Sequence, residues 1–206
     1  MALPFRLYLV TDRARMKPDP AQALAAALSG LPEGAAAVQL RERDLNPREL
    51  LALGRALLPV CRAHRAPLLI NDRLDVALAL GADGLHLRGK SFAADDARAL
   101  LGPDKLIGIS CHSREQVQAA RGADFVTLGP LFDTPSKRKF GAPLGLEGFS
   151  AALVPEGPPA FALGGVNVVV GKLALGAGAF GLAAIRAAWD GDPASQTARL
   201  WAILSR

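Results

Sequence analysis

Cysteine is scarce in this chain: 206 residues hold two, Cys61 and Cys111. Two cysteines imply no disulfide framework, and a reducing, cytoplasmic setting is expected. Aromatic residues make up only 5%. Lys and Arg are scattered, with no basic stripe and no interleaved aromatics, which excludes nucleic acid as an expected partner. No uninterrupted apolar run could span a bilayer, so no membrane role is expected. The stretch from Met1 to Arg6 lacks a charged segment followed by a long apolar one, so no signal peptide is expected. Charged residues are 21% against 50% hydrophobic, which excludes a disordered chain. The net charge of +5 is modest and suits a small anionic substrate.

What the chain has is rhythm. Short apolar runs recur at 5–10, 36–40, 67–71, 84–87, 106–110, 125–129, 159–163 and 179–184. Helical patterns lie between and after them, at 19–31, 46–65, 73–81, 93–102, 113–121, 146–153, 167–176 and 193–205. Strands alternating with helices make βαβ units and a parallel sheet. Eight such units predict a closed (β/α)₈ TIM barrel, with residues 1–206 as one domain. The runner-up is an open doubly wound sheet.

Local signals agree. Asn46-Pro47 sets a cap residue before a first-turn proline. Ser113 with Gln116 predicts a capping box. Gly81, Gly122 and Gly176 each stand between a helix and a strand and suit left-handed helix ends.

The strand ends are polar, and in such a barrel all the C-terminal strand tips converge on one face. Gln39, Arg41 and Arg43 end strand two. Alternation points Gln39 and Arg41 into the mouth, where a buried guanidinium needs an anion. Glu42 or Asp44 could supply it internally. Asn71-Asp72 ends strand three, as ligand contacts or as a helix cap. His86 and His112 fall at strand ends, as acid/base groups or as histidines merely held by hydrogen bonds. His64 reads as a surface residue. The loop after strand six carries Thr134, Ser136, Lys137, Arg138 and Lys139, hydroxyls and cations that suit a phosphate or equally make a solvated basic loop. Gly164-Gly165 follows strand seven, where barrels often bind phosphate through backbone N–H groups, and Asn167 can cap the next helix.

Leu7-Tyr8-Leu9-Val10-Thr11-Asp12, Val38-Gln39-Leu40-Arg41-Glu42, Ile70-Asn71-Asp72-Arg73, Gly81-Ala82-Asp83-Gly84-Leu85-His86-Leu87 and Gly129-Pro130-Leu131-Phe132, in this order, resemble thiamin phosphate synthase and its TenI relatives. That family is a (β/α)₈ barrel. The synthase joins a pyrimidine diphosphate to a thiazole phosphate and releases diphosphate. The resemblance implies that Gln39, Arg41, Arg43 (usually Lys) and Asn71 hold the pyrimidine diphosphate, with Ser110 beside the pyrimidine. It gives Asp72 to Mg²⁺ in a synthase. It gives the phosphate to Thr134, Ser136, Lys137 and the backbone of Gly164, Gly165, Ala184 and Ile185.

The departures from the pattern favour another branch. The strand-four loop of the synthase runs His-x-Gly-Gln-x-Asp, and its Asp is the second metal ligand. Here Ser91 takes that place, with Arg88 and Lys90 nearby. Ala184 replaces a serine. Ser91-Phe92 is similar to the Ser-Phe pair of TenI-like thiazole tautomerases, isomerases that shift a proton on a carboxythiazole phosphate without metal. The expected function is therefore a tautomerase with His112 as the acid/base, no cofactor and a small phosphorylated thiazole as ligand. A homo-oligomer is possible. The alternative is a synthase, a transferase, using Mg²⁺, in which Arg88 and Lys90 replace metal charge or Asp95 or Asp96 reaches in. A non-catalytic phosphate-binding or regulatory barrel is the remaining alternative.

Overall fold

The computed structural model describes residues 3–89, 91–133 and 142–205. Eight parallel strands close into one barrel in sequence order: β1 (Leu7–Val10), β2 (Ala36–Leu40), β3 (Leu68–Asn71), β4 (Gly84–Leu87), β5 (Leu106–Cys111), β6 (Phe125–Leu128), β7 (Ala160–Leu163) and β8 (Gly181–Ala184). Closure is made by β1 against β8, with Leu7 opposite Leu182. The helices α1 (Pro20–Ser29), α2 (Pro47–Ala63), α3 (Leu74–Leu80), α4 (Ala94–Leu101), α5 (Arg114–Ala119), α6 (Gly145–Ala152) and α7 (Val168–Gly176) run between successive strands. Two helices follow β8: α8 (Arg186–Trp189) and α9 (Pro193–Leu204). Sequence periodicity misses α8, because a single turn carries no amphipathic repeat.

Alternation along each strand sorts the core into two layers. Inside the barrel, Phe5, Tyr8, Phe125 and Phe161 pack ring to ring with the small Ala37 and Ala183. Outside it, Leu7, Leu9, Val38 and Leu40 face the helices. Long-range polar ties fasten the ends: Arg6 donates to the carbonyls of Phe180 and Leu204, at 2.9 and 2.7 Å. Thr197 Oγ1 donates to the Ala27 carbonyl at 2.6 Å, joining α9 to α1.

The caps match expectation in part. Asn46 and Glu49 form a full capping box on α2. Ser113 Oγ accepts from Gln116 N, but the Gln116 side chain accepts from His112 N rather than from the cap residue, so α5 has half a box. Of the three expected left-handed glycines only Gly81 has that conformation, at φ 64°. After α7 the turn falls on Gly178 instead, at φ 97°. His64 closes α2 and is half-buried.

Candidate active site

Under the strand tips lies a floor of buried polar groups drawn from five strands. Gln39 Nε2 donates to Tyr8 Oη at 3.1 Å. Tyr8 Oη lies 3.1 Å from His86 Nδ1, and His86 Nε2 lies 3.0 Å from Ser110 Oγ. Thr127 Oγ1 stands 3.4 Å from both His86 Nε2 and Ser110 Oγ. Tyr8, Gln39, His86 and Thr127 are buried, and Ser110, half-buried, forms the upper edge. Burial, followed by the nearby Arg41 charge, pushes the His86 imidazole down to about 3, so it stays neutral. Burial raises the Tyr8 phenol and keeps it protonated. The strand pattern pointed to Gln39 and His86, and the family resemblance to Ser110. It missed Tyr8 and Thr127, whose only signal was their inward parity on β1 and β6.

Three guanidinium groups gather above that floor. The Arg41 backbone N–H is held by Thr11 Oγ1 at 2.9 Å, which aims the half-buried side chain. Burial, then the charges of Arg43 and Arg88, lower the Arg41 guanidinium to about 10 against the opposing charges of Glu42 and Asp12. The acids weighed as its internal partners are committed elsewhere. Glu42 accepts from Arg13 N at 3.0 Å, and Asp44 pairs with Arg13 at 2.6 Å. Among the described residues no ion pair reaches Arg41. A half-buried cation beside two other guanidinium groups and in no ion pair of its own is a place for an anionic ligand.

Asn71 and Asp72 do not cap α3; Arg73 stands at the N-cap position and makes no side-chain cap hydrogen bond. Asp72 instead takes a left-handed φ of 58°, rare outside glycine and common at functional sites. Its Oδ1 accepts from Ser91 Oγ and its Oδ2 from Arg88. Mg²⁺ takes hard oxygen ligands, commonly one or two carboxylates with substrate phosphate. Here a single carboxylate is present, with both oxygens engaged and a guanidinium at the coordination position. Asp95 does not reach in: its Oδ1 would lie 2.6 Å from a Cβ on Gly122, at the opposite end of the barrel. No cluster of metal-ligating side chains occurs among the described residues. The residues present do not fit a resident Mg²⁺.

Across the mouth, Gly164 and Gly165 adopt φ of 106° and 70°, conformations that favour glycine. A Cβ on Gly164 would meet Pro130 Cα at 2.8 Å, so the turn also needs glycine to pack on the loop after β6. Register sets Leu163 opposite Ala183, which brings Gly164-Gly165 beside Ala184 and Ile185. Asn167 caps α7 by accepting from Val170 N at 2.9 Å. Among the described residues, no turn or loop hydrogen bond uses the N–H of Gly164, Gly165 or Ile185. Thr134, Ser136, Lys137 and Lys90 lie outside the described residues.

His112 is exposed just past β5, and its Nδ1 contacts the Gly129 carbonyl at the end of β6. A carbonyl can only accept, so Nδ1 donates in this contact. Two clefts of about 450 and 420 Å³ lie at the other end of the barrel, near Val117 and Cys61 respectively. They share no residue with this set.

The barrel and its mouth define a class: a (β/α)₈ protein with polar and cationic groups at the strand tips and a glycine turn after β7. The thiamine monophosphate synthase family model matches residues 7–188, and the chain belongs to that family. It is 45% identical to a putative thiamine-phosphate synthase of Geobacter sulfurreducens over 97% of this chain and 94% of that protein. It is 39% identical to a thiamine-phosphate synthase of Roseiflexus sp. over 97% of this chain and 85% of that one. Among solved structures, a thiamine phosphate pyrophosphorylase of Pyrococcus furiosus superposes with a TM-score of 0.85 at 32% identity, over 98% of this chain and 96% of that chain. The family and the transferase names of these relatives do not support the expected isomerase.

Proposed function

We propose that this protein is a thiamine-phosphate synthase that joins a pyrimidine diphosphate to a thiazole phosphate. The observation that carries this reading is the half-buried Arg41, which makes no ion pair among the described residues and feels the charges of Arg43 and Arg88. It makes an anion site on strands two to four, opposite the glycine turn on strands seven and eight. A tautomerase needs one phosphate site; a synthase needs two anion sites. As the diphosphate leaves, its oxygen takes the bonding pair and negative charge grows there. Fixed guanidinium groups stabilise such charge because they need no reorganisation at that moment. Gln39 and Asn71 orient the pyrimidine, Ser110 contacts it, and the backbone of Gly164, Gly165 and Ile185 holds the thiazole phosphate. No step is routed through a metal. The chain acts as one domain, and buried, unpaired Cys61 and Cys111 suit a reducing cytoplasm.

The test is product formation from the two substrates, with Arg41→Gln as the diagnostic variant. Turnover that falls at least about tenfold supports the reading, since a charge-assisted contact is worth about 1.5–3 kcal/mol. No turnover by the parent protein refutes it.

One observation favours the tautomerase as a second reading. His112 stands exposed just past β5 with its ring Nδ1 held at the Gly129 carbonyl, and Asp72 is tied by Arg88 and Ser91. A carboxythiazole phosphate assay of the parent and His112→Asn decides it.

A further inference from the structure

The floor beneath the mouth has a direction, fixed by counting protons. His86 is neutral and has one ring N–H. Tyr8 keeps its phenolic proton. Gln39 Nε2 donates to Tyr8 Oη, which accepts that proton and turns its own toward His86 Nδ1, 3.1 Å away. Nδ1 then has no proton, so the ring N–H sits on Nε2 and donates to Ser110 Oγ, 3.0 Å away. Thr127 Oγ1 also donates toward Ser110 Oγ at 3.4 Å. With its oxygen receiving from below, the Ser110 proton points up to the half-exposed mouth.

The packing holds this arrangement. The His86, Tyr8 and Phe125 rings form a triangle: the His86 centroid lies 5.5 Å from Tyr8 and 5.9 Å from Phe125, which are 5.0 Å apart. Gly108 lies directly against the imidazole: a Cβ there would be 2.6 Å from Nδ1.

We propose that Gln39, Tyr8 and His86 form a one-way hydrogen-bond relay that makes Ser110 an obligate donor, so the ligand must place an acceptor atom over it. His86 is a positioning residue, not an acid or base. The acceptor is a ring nitrogen of the pyrimidine or an oxygen of the diphosphate. This assignment of the ligand rests on the synthase reading; the direction of the relay does not.

Histidine ¹⁵N shifts in the ligand-free protein read the direction. The expected result is Nε2–H with unprotonated Nδ1, unchanged from pH 8 to pH 5. An Nδ1–H tautomer overturns the relay. Calorimetry with inorganic diphosphate, and separately with the pyrimidine lacking its diphosphate, reads its consequence. Tyr8→Phe and His86→Leu should each weaken one of these ligands about tenfold, as expected for one hydrogen bond. His86→Gln, whose amide can put N–H near the Nε2 position, should recover most of the loss. In a Ser110→Ala background the Tyr8 and His86 changes should have no further effect. Effects that persist there, or no effect on either ligand, refute the proposal. If His86→Leu does not fold, Tyr8→Phe and the tautomer measurement still decide. A parent protein that makes no thiamine phosphate would sink the synthase reading alone, because the ring-proton assignment needs no turnover.

Discussion

A Cβ on Gly108 would lie 2.6 Å from His86 Nδ1 and equally close to Phe125 Cζ. The missing side chain on β5 is the space in which the β4 imidazole sits. Gly108→Ala should therefore destabilise the fold by about 1–3 kcal/mol through overpacking. Denaturant unfolding checks it, and an unchanged midpoint would show that the ring can move aside.

Stability should fall with acid below about pH 6.5. His86 has its folded pKa lowered to about 3 from an unfolded 6.5. Below 6.5 the unfolded chain binds a proton that the folded protein refuses, so acid favours unfolding. The contribution is fully present above pH 6.5 and is lost as pH falls toward 3, at a slope of about 1.4 kcal/mol per pH unit. Unfolding free energy across pH 7 to 4, compared between the parent and His86→Gln, measures it. Equal slopes would refute the assignment.

Arg41→Gln should leave the fold intact, because it removes a half-buried charge from beside like charges. Affinity for inorganic diphosphate should drop about 10- to 100-fold, the worth of one or two charge-assisted contacts. Titration calorimetry at fixed salt reads it. Undiminished affinity would move the diphosphate site away from strand two.

Mg²⁺ should not bind the ligand-free parent tightly, since Arg88 and Ser91 occupy both oxygens of Asp72. Replacing both, with Ser91→Asp and Arg88→Gln, restores a second carboxylate and removes the competing cation, and should create measurable binding. Tight binding by the parent would overturn this account of the site.

His112→Asn separates the two enzymatic readings. In a synthase whose chemistry depends on the arginine cluster, turnover should change by no more than a few-fold. In a tautomerase, losing the one base should cost about 10²–10⁴-fold. Measuring both reactions on one preparation gives the answer.

The sequence by itself determined the architecture. Eight apolar runs at a βα spacing close into a barrel because parallel strands with helical crossovers have few other compact solutions. Strand ends were legible to within a residue or two, because a strand stops where its apolar run meets polar residues. The quoted motifs also carried the family. Tertiary structure alone decided which neighbours each polar group would have. Arg41 could have paired with Glu42 or Asp44, but both face Arg13 across the β1–β2 mouth. Asp72 could have capped α3, but a left-handed backbone turns it to Arg88 and Ser91. His86 reads along the chain as one more strand-end histidine; burial against Tyr8 and Phe125 makes it a neutral strut. Periodicity tells which way a side chain points, and pairing depends on what four or five other strands bring to the same place.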